Sequence, residues 1–321
     1  MIMIGLALIG LTGIVALVLA SSRSRRPPAE GAGDVGTAPP RVSLGTEAVG
    51  YLGAVLVLAG AGAALAQRWD DLAGWGRVLV LAAIAGQFLA AGLAVRPVRE
   101  PAAQRLVDVL WMLAVAATGS TAGLAAADLV GTPGRVTCLV VGLALTASGL
   151  PLWALRRHAL QNLAVLAGLV VGAVGAIGSI AGDDAPALAY PLALWPLGVW
   201  WALLGARGHA DPARLSVAGG TVLALTAPFI AVERYGALYV LGVVTAAAAM
   251  AAAVRLRDPA LLALGSVGLL AHLTSLVVRY LGDTFGVPAT LAVTGGLLIV
   301  LAVVNARLLP EVRHGRPTSV P

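Results

Sequence analysis

The chain has 321 residues, 59% of them hydrophobic and only 11% charged, with a mean hydropathy of +0.93. Soluble domains carry about 25% charged residues, and nothing in this chain could cover so many apolar segments, so a water-soluble globular fold is excluded. The net charge of +6 does not point to nucleic acid, because the 21 basic residues are all Arg and sit in short stretches between apolar runs.

In chain order, residues 2–20 form the first apolar run, long enough to cross a bilayer core of roughly 30 Å. A cleaved signal peptide carries positive charge ahead of its apolar run. Here Arg23, Arg25 and Arg26 follow it instead. Residues 1–20 therefore read as a transmembrane anchor with its N-terminus outside. Residues 21–46 are rich in Pro, Gly and Ala and read as a flexible cytoplasmic linker. Residues 47–309 read as a ten-helix membrane domain, and residues 310–321 as a cytoplasmic tail. Within the domain, apolar runs fall near 48–66, 78–95, 106–127, 136–155, 161–181, 186–205, 215–232, 236–254, 260–279 and 287–306. The predicted fold is all-α: a polytopic bundle of about 11 spans, one anchor followed by five hairpins that leave the cytoplasmic side and return to it.

The distribution of Arg tests this topology. Sixteen Arg fall on the expected cytoplasmic side: positions 23, 25, 26, 41, 96, 99, 105, 156, 157, 207, 214, 255, 257, 307, 313 and 316. Five fall outside, at 68, 77, 135, 234 and 279. Positive charge stays cytoplasmic, so the N-terminus is expected outside and the C-terminus inside. The Arg-only basic set and the heavy use of Ala, Gly, Val and Leu suit a high-GC bacterial genome. The expected location is a bacterial cytoplasmic membrane, with membrane lipids and other membrane proteins as partners and no nucleic acid.

The hairpins resemble one another. Arg68-Trp69 stands shortly before Asp71, and Arg279-Tyr280 shortly before Asp283; each Arg is followed 28 residues later by another, Arg96 and Arg307. These hairpins share one direction, as in a parallel repeat. Gly168, Gly172, Gly175 and Gly178 give the span near 161–181 a smooth face, and Ala246–Ala253 do the same for the span near 236–254. Helices in lipid need such faces for close approach.

Candidate sites are few. His272 lies inside a span, and an ionisable group there is a functional candidate by default. Arg279 is seven residues on, close to the same helix face, and Asp283 follows four residues later. With Arg68, Asp70 and Asp71, these make up a candidate polar site on the outer side. The competing explanation for the outer residues is helix capping and an interfacial aromatic belt; for His272 it is polar glue between helices. Asp108 and Glu47 read as carboxylates at helix N-termini, where the dipole favours them. Thr118, Ser120 and Thr121 are expected to bridge helices. One cysteine, Cys138, excludes an intrachain disulfide and a cysteine-based metal cage. The sequence holds no phosphate loop with its Lys, no His-Glu-x-x-His and no Gly-x-Ser-x-Gly, so no cofactor, metal or catalytic residue is expected.

The stretches EAVGYLGAVLVLAGAGAALAQRWDDLAGWGRVLVLAAIAG and VVRYLGDTFGVPATLAVTGGLLIVLA resemble a family of uncharacterised, mainly actinobacterial, integral membrane proteins. The resemblance implies a membrane helix bundle and carries no functional residues. Three functions fit to different degrees. A non-enzymatic envelope or accessory component ranks first. A transporter or flippase for a small or lipidic substrate ranks second. A lipid-linked-sugar glycosyltransferase ranks last: paired acids such as Asp70-Asp71 suit it, but the short outer loops do not.

Overall fold

The computed structural model describes Trp69, residues 71–97, 101–182 and 186–314, with the surroundings of only a few side chains beyond Tyr280. The expected anchor (1–20), the linker (21–46) and the span at 48–66 lie outside the described residues, as do Arg68 and Asp70.

The described residues form eight α-helices and no strand. They are α1 (Gly74–Val95), α2 (Pro101–Leu124), α3 (Gly134–Leu155), α4 (Ala159–Ala181), α5 (Ala189–Ala206), α6 (Ala213–Thr226), α7 (Ala237–Leu256) and α8 (Pro259–His314). A π turn at Ala125–Leu129 extends α2, and a 3₁₀ turn at Ala227–Ile230 extends α6. Among the described residues, eight segments are long and apolar enough to cross a membrane. By helix length and hydropathy, this is a multi-pass membrane protein. The helix starts have local causes. Pro133 and Pro212 stand just before α3 and α6, where a missing N–H costs nothing. Asp258 caps α8, accepting a hydrogen bond from the Ala260 amide at 2.9 Å.

Two features depart from the sequence-based expectation. First, α8 is one helix of 56 residues. It runs through the expected outer turn near Tyr280, joins the runs at 260–279 and 287–306 in one helix, and continues to His314. Lone glycines such as Gly282 and Gly286 cost a helix only about 1 kcal/mol each, and Pro288 removes one backbone hydrogen bond. None of them ends it. At 1.5 Å per residue, 56 residues run about 84 Å, well beyond a bilayer core. Within it, Pro259–Tyr280 qualifies as a span by length and hydropathy.

Second, the hairpins close at the other end. The tightest pairs are α1–α2, α3–α4, α5–α6 and α7–α8, and each is joined through an Arg-bearing connection rather than through an expected outer turn. Those connections are short: three residues separate α3 from α4, Arg156–His158, and two separate α7 from α8, Arg257 and Asp258. The small-residue faces also point to these partners. Gly142 and Gly172 bring α3 and α4 into backbone contact, and Gly198 and Gly220 do the same for α5 and α6. A Cβ on Gly142 or Gly220 would strike the partner backbone. The expected glycine face of 168–178 thus packs on α3. Ala249, Met250 and Ala253 pack around the start of α8, with Leu261 and Leu262, and the Ala246 carbonyl lies close to Gly265.

The four pairs stand in tandem. Helices α2, α4, α6 and α8 also touch one another in sequence, making an inner row. Their N-termini share a pattern: Glu100-Pro101-Ala102, His158-Ala159, Asp211-Pro212-Ala213 and Asp258-Pro259-Ala260, each soon after Arg. Quasi-one-dimensional arrays of this kind gain their stability from contacts between neighbouring units.

Candidate functional site: a buried polar network at the Arg-bearing end

Asp108 sits two turns inside α2 and is 1% exposed. It is therefore not a carboxylate at the helix N-terminus, as its position near the start of the span suggested. Its neighbours come from the α3–α4 connection. Arg156 Nε lies 3.1 Å from Oδ1, and His158 Nε2 lies 3.2 Å from Oδ2. The tight α3–α4 turn forces this placement, because three residues are too few to swing away from the end of α2. On the first turn of α4, Gln161 Nε2 donates to the Asp108 carbonyl at 3.1 Å.

The network continues to α6. Asn162 Nδ2 donates to Ser216 Oγ at 2.8 Å and to the Asp211 carbonyl at 3.2 Å. Ser216 Oγ donates to the Ala210 carbonyl at 3.0 Å. Trp153 Nε1 donates to the same Asp211 carbonyl at 2.7 Å, and Arg157 pairs with the Asp211 carboxylate at 3.0 Å. Gln161, Asn162 and Ser216 are fully buried. The inner row is thus stitched from α2 through α4 to α6 by side chains on the first turns of the later helices.

The stitching is incomplete. Asp108 forms an ion pair with Arg156 and a polar contact with His158, whose charged form burial disfavours, and neither contact has hydrogen-bond alignment. Both carboxylate oxygens, Gln161 Oε1 and Asn162 Oδ1 have no hydrogen-bond partner among the described residues. Buried unmatched acceptors are costly, and together they could hold a proton or a polar ligand group. No group of three metal-ligating side chains occurs among the described residues.

His158 carries the titration that lies outside the spans. Burial pushes its pKa below the ordinary 6.5; Asp108 draws it back up and Arg156 pushes it down. The folded state therefore binds this proton more weakly than the unfolded state. The stability contributed by neutral His158 is fully present above pH 6.5 and declines as pH falls through the window down to the depressed folded value. The unfolding midpoint in detergent is expected to drop as pH is lowered from about 7.5 to 5.5. His158→Gln is expected to flatten that slope; an equal slope in the variant would place the pH dependence elsewhere.

The residues singled out from sequence are distributed differently. His272 is fully buried. Its ring stacks on Phe229 with centroids 4.1 Å apart and planes 9° apart, and its Nε2 lies 3.0 Å from the Leu225 carbonyl. Gly242 of α7 closes the other side. The imidazole ties α8 to the end of α6, as polar glue does. Interhelical hydrogen bonds of this kind are worth about 0.6–2 kcal/mol. His272→Leu is expected to lose about that much in reversible unfolding while keeping the fold; unchanged stability would show that the bond contributes nothing.

Arg279 is exposed and donates from its guanidinium to the Glu233 carbonyl at 3.3 Å, and Tyr280 meets Tyr239 edge-on at 6.4 Å. Asp71 is exposed, while Arg68, Asp70 and the side chain of Asp283 lie outside the description. At the α1 end, Arg77 bonds the Trp69 carbonyl at 2.9 Å and approaches Asp128 at 3.6 Å. Among described residues, the outer polar set thus falls into two groups: one around α1 and the end of α2, the other around α7 and α8. Thr118, Ser120 and Thr121 bond carbonyls one turn back on their own helix, so their hydroxyls serve α2 rather than bridging to another helix.

Sequence reasoning did not single out His158, Gln161 and Asn162. The available signal was three polar residues within five, directly after an Arg pair and at the mouth of an apolar run. Compared with protein-family models and with curated proteins, the chain matches none.

Proposed function

We propose that this protein is a non-enzymatic integral membrane component, an accessory or scaffolding element of a bacterial envelope, with its Arg-bearing loops in the cytoplasm. It also resembles the uncharacterised actinobacterial membrane family named above. The observation that carries the reading is the fate of His272. The intramembrane ionisable residue that most favoured a substrate path is enclosed between Phe229, Gly242 and the Leu225 carbonyl, and it holds helices together. In reconstituted vesicles the protein is expected to leave entrapped solutes and an imposed pH gradient intact. Flux above that of empty vesicles would overturn the reading. Reporter fusions after Arg156-Arg157 test the orientation, and an outside signal there would reverse it.

One observation favours a second reading, a proton-coupled transporter. Asp108 is a buried carboxylate beside a histidine, with unmatched acceptors around it, and intramembrane carboxylates often carry protons. In that case Asp108→Asn abolishes flux in protein that still purifies folded.

A further inference from the structure

An open cavity of about 530 Å³ lies against the end of α3, at the Arg-bearing end of the array. That volume falls within the roughly 300–1,000 Å³ of small-molecule sites. Its apolar wall is one helix stripe, Ala147, Leu150, Pro151 and Ala154, at helical spacing. All four are exposed in the isolated chain, and Leu150 keeps 43% of its surface. The stripe ends at two donors, Arg157 from the α3–α4 connection and His209 from the α5–α6 connection. Trp153 forms the remaining wall. Its ring is held by the bond to the Asp211 carbonyl and by Trp201, 6.1 Å away.

We propose that this groove binds one anionic phospholipid, with an acyl chain along the α3 stripe and the phosphate on Arg157 and His209. The order of chemistry along the groove matches that of a lipid: apolar within the span, aromatic at the boundary, cationic beyond it. Charge complementarity selects an anionic headgroup. Arg157 already meets Asp211 through one guanidinium nitrogen, yet it remains 62% exposed, so its planar fork still faces outward. Arg suits phosphate because that fork can donate two parallel hydrogen bonds. His209 is exposed and offers a ring N–H on the same rim. Pro151 lacks the N–H that the Ala147 carbonyl would otherwise receive, so the polypeptide along the groove is polar near its headgroup end.

The test uses the full chain in detergent, titrated with phosphatidylglycerol or phosphatidylcholine, with bound lipid counted by native mass spectrometry. One phosphatidylglycerol is expected to be retained at about fivefold lower concentration than phosphatidylcholine, the preference that one Arg at a headgroup supports. Arg157→Gln is expected to abolish that preference. Leu150→Trp, which fills the groove and leaves the Arg157–Asp211 pair intact, is expected to lower retention of both lipids. Arg135→Gln, at the opposite end, is expected to change neither. Equal retention of the two lipids would overturn the proposal. So would a preference that survives Arg157→Gln, unchanged retention of both lipids in Leu150→Trp, or complete displacement of the lipid by inorganic phosphate.

Discussion

Asp108→Ala is expected to cost about 3–5 kcal/mol of stability, the usual loss when one partner of a buried ion pair is removed. Asp108 is 1% exposed, and Arg156 reaches it from the α3–α4 connection at 3.1 Å. Val107, Trp111 and Leu152, from the same helix segments as the pair, form an apolar cluster, and without the carboxylate Arg156, whose side chain is only 24% exposed, loses its counter-charge. The loss therefore reflects an uncompensated charge rather than the net worth of the pair. That distinction is testable. Replacing both partners together, Asp108→Leu with Arg156→Met, is expected to recover most of the stability, because apolar residues of similar volume often match or exceed a buried pair. Reversible unfolding in mixed micelles measures all three proteins. A double variant no more stable than Asp108→Ala would show that the pair itself holds the α2–α4 junction.

Gly142→Leu is expected to cost at least about 2–3 kcal/mol, at the upper end of the usual penalty for overpacking. A Cβ on Gly142 points at the backbone of Gly172 and at the Gly168 carbonyl. A flexible side chain could rotate away from it, but a helix backbone cannot. The α3–α4 pair would have to separate, and with it the short turn that brings Arg156 and His158 to Asp108. The control is Gly86→Ala, since a Cβ there meets nothing within 4 Å. That change is expected to be neutral or to stabilise α1 by up to about 1 kcal/mol through helix propensity. A loss at Gly86→Ala as large as that at Gly142→Leu would mean that close approach to a partner backbone is not what governs these glycines.

Much of this architecture was legible from composition. Runs such as 136–155 and 161–181 became α3 (Gly134–Leu155) and α4 (Ala159–Ala181) with shifts of a residue or two. The cause is that an apolar run near 20 residues leaves the backbone in lipid one way to satisfy itself, as helix. The glycine face of 168–178 was also legible, because small residues at helical spacing have few other uses in a span. The pairing of helices was harder to read. Apolar runs and Arg positions mark most of the ends of the helices, and they are blind to which neighbour a given face meets. The outer turn expected near Tyr280 rested on Arg279-Tyr280 and Asp283 between two apolar runs, and such polar residues do not by themselves end a helix.

The same boundary separates the two kinds of site. Asp108 was visible as an acid near a span end, where a favourable helix dipole was explanation enough. Its partner Arg156 is 48 positions away in sequence, and His158 is 50. Only the folding of α4 back along α3 and beside α2 brings them within 3.2 Å. His272 was visible as an ionisable residue inside a span, yet its meaning depended on Phe229 and the Leu225 carbonyl, more than 40 positions earlier. Taken alone, the order of residues establishes a multi-pass helical membrane protein, because hydropathy and helix length are local properties. Which polar groups meet, and whether they form a network or a seal, depends on contacts between distant segments. Those contacts arise from packing: they tie His272 to the end of α6 and place Asp108, read from sequence as a helix cap, at the centre of a buried network.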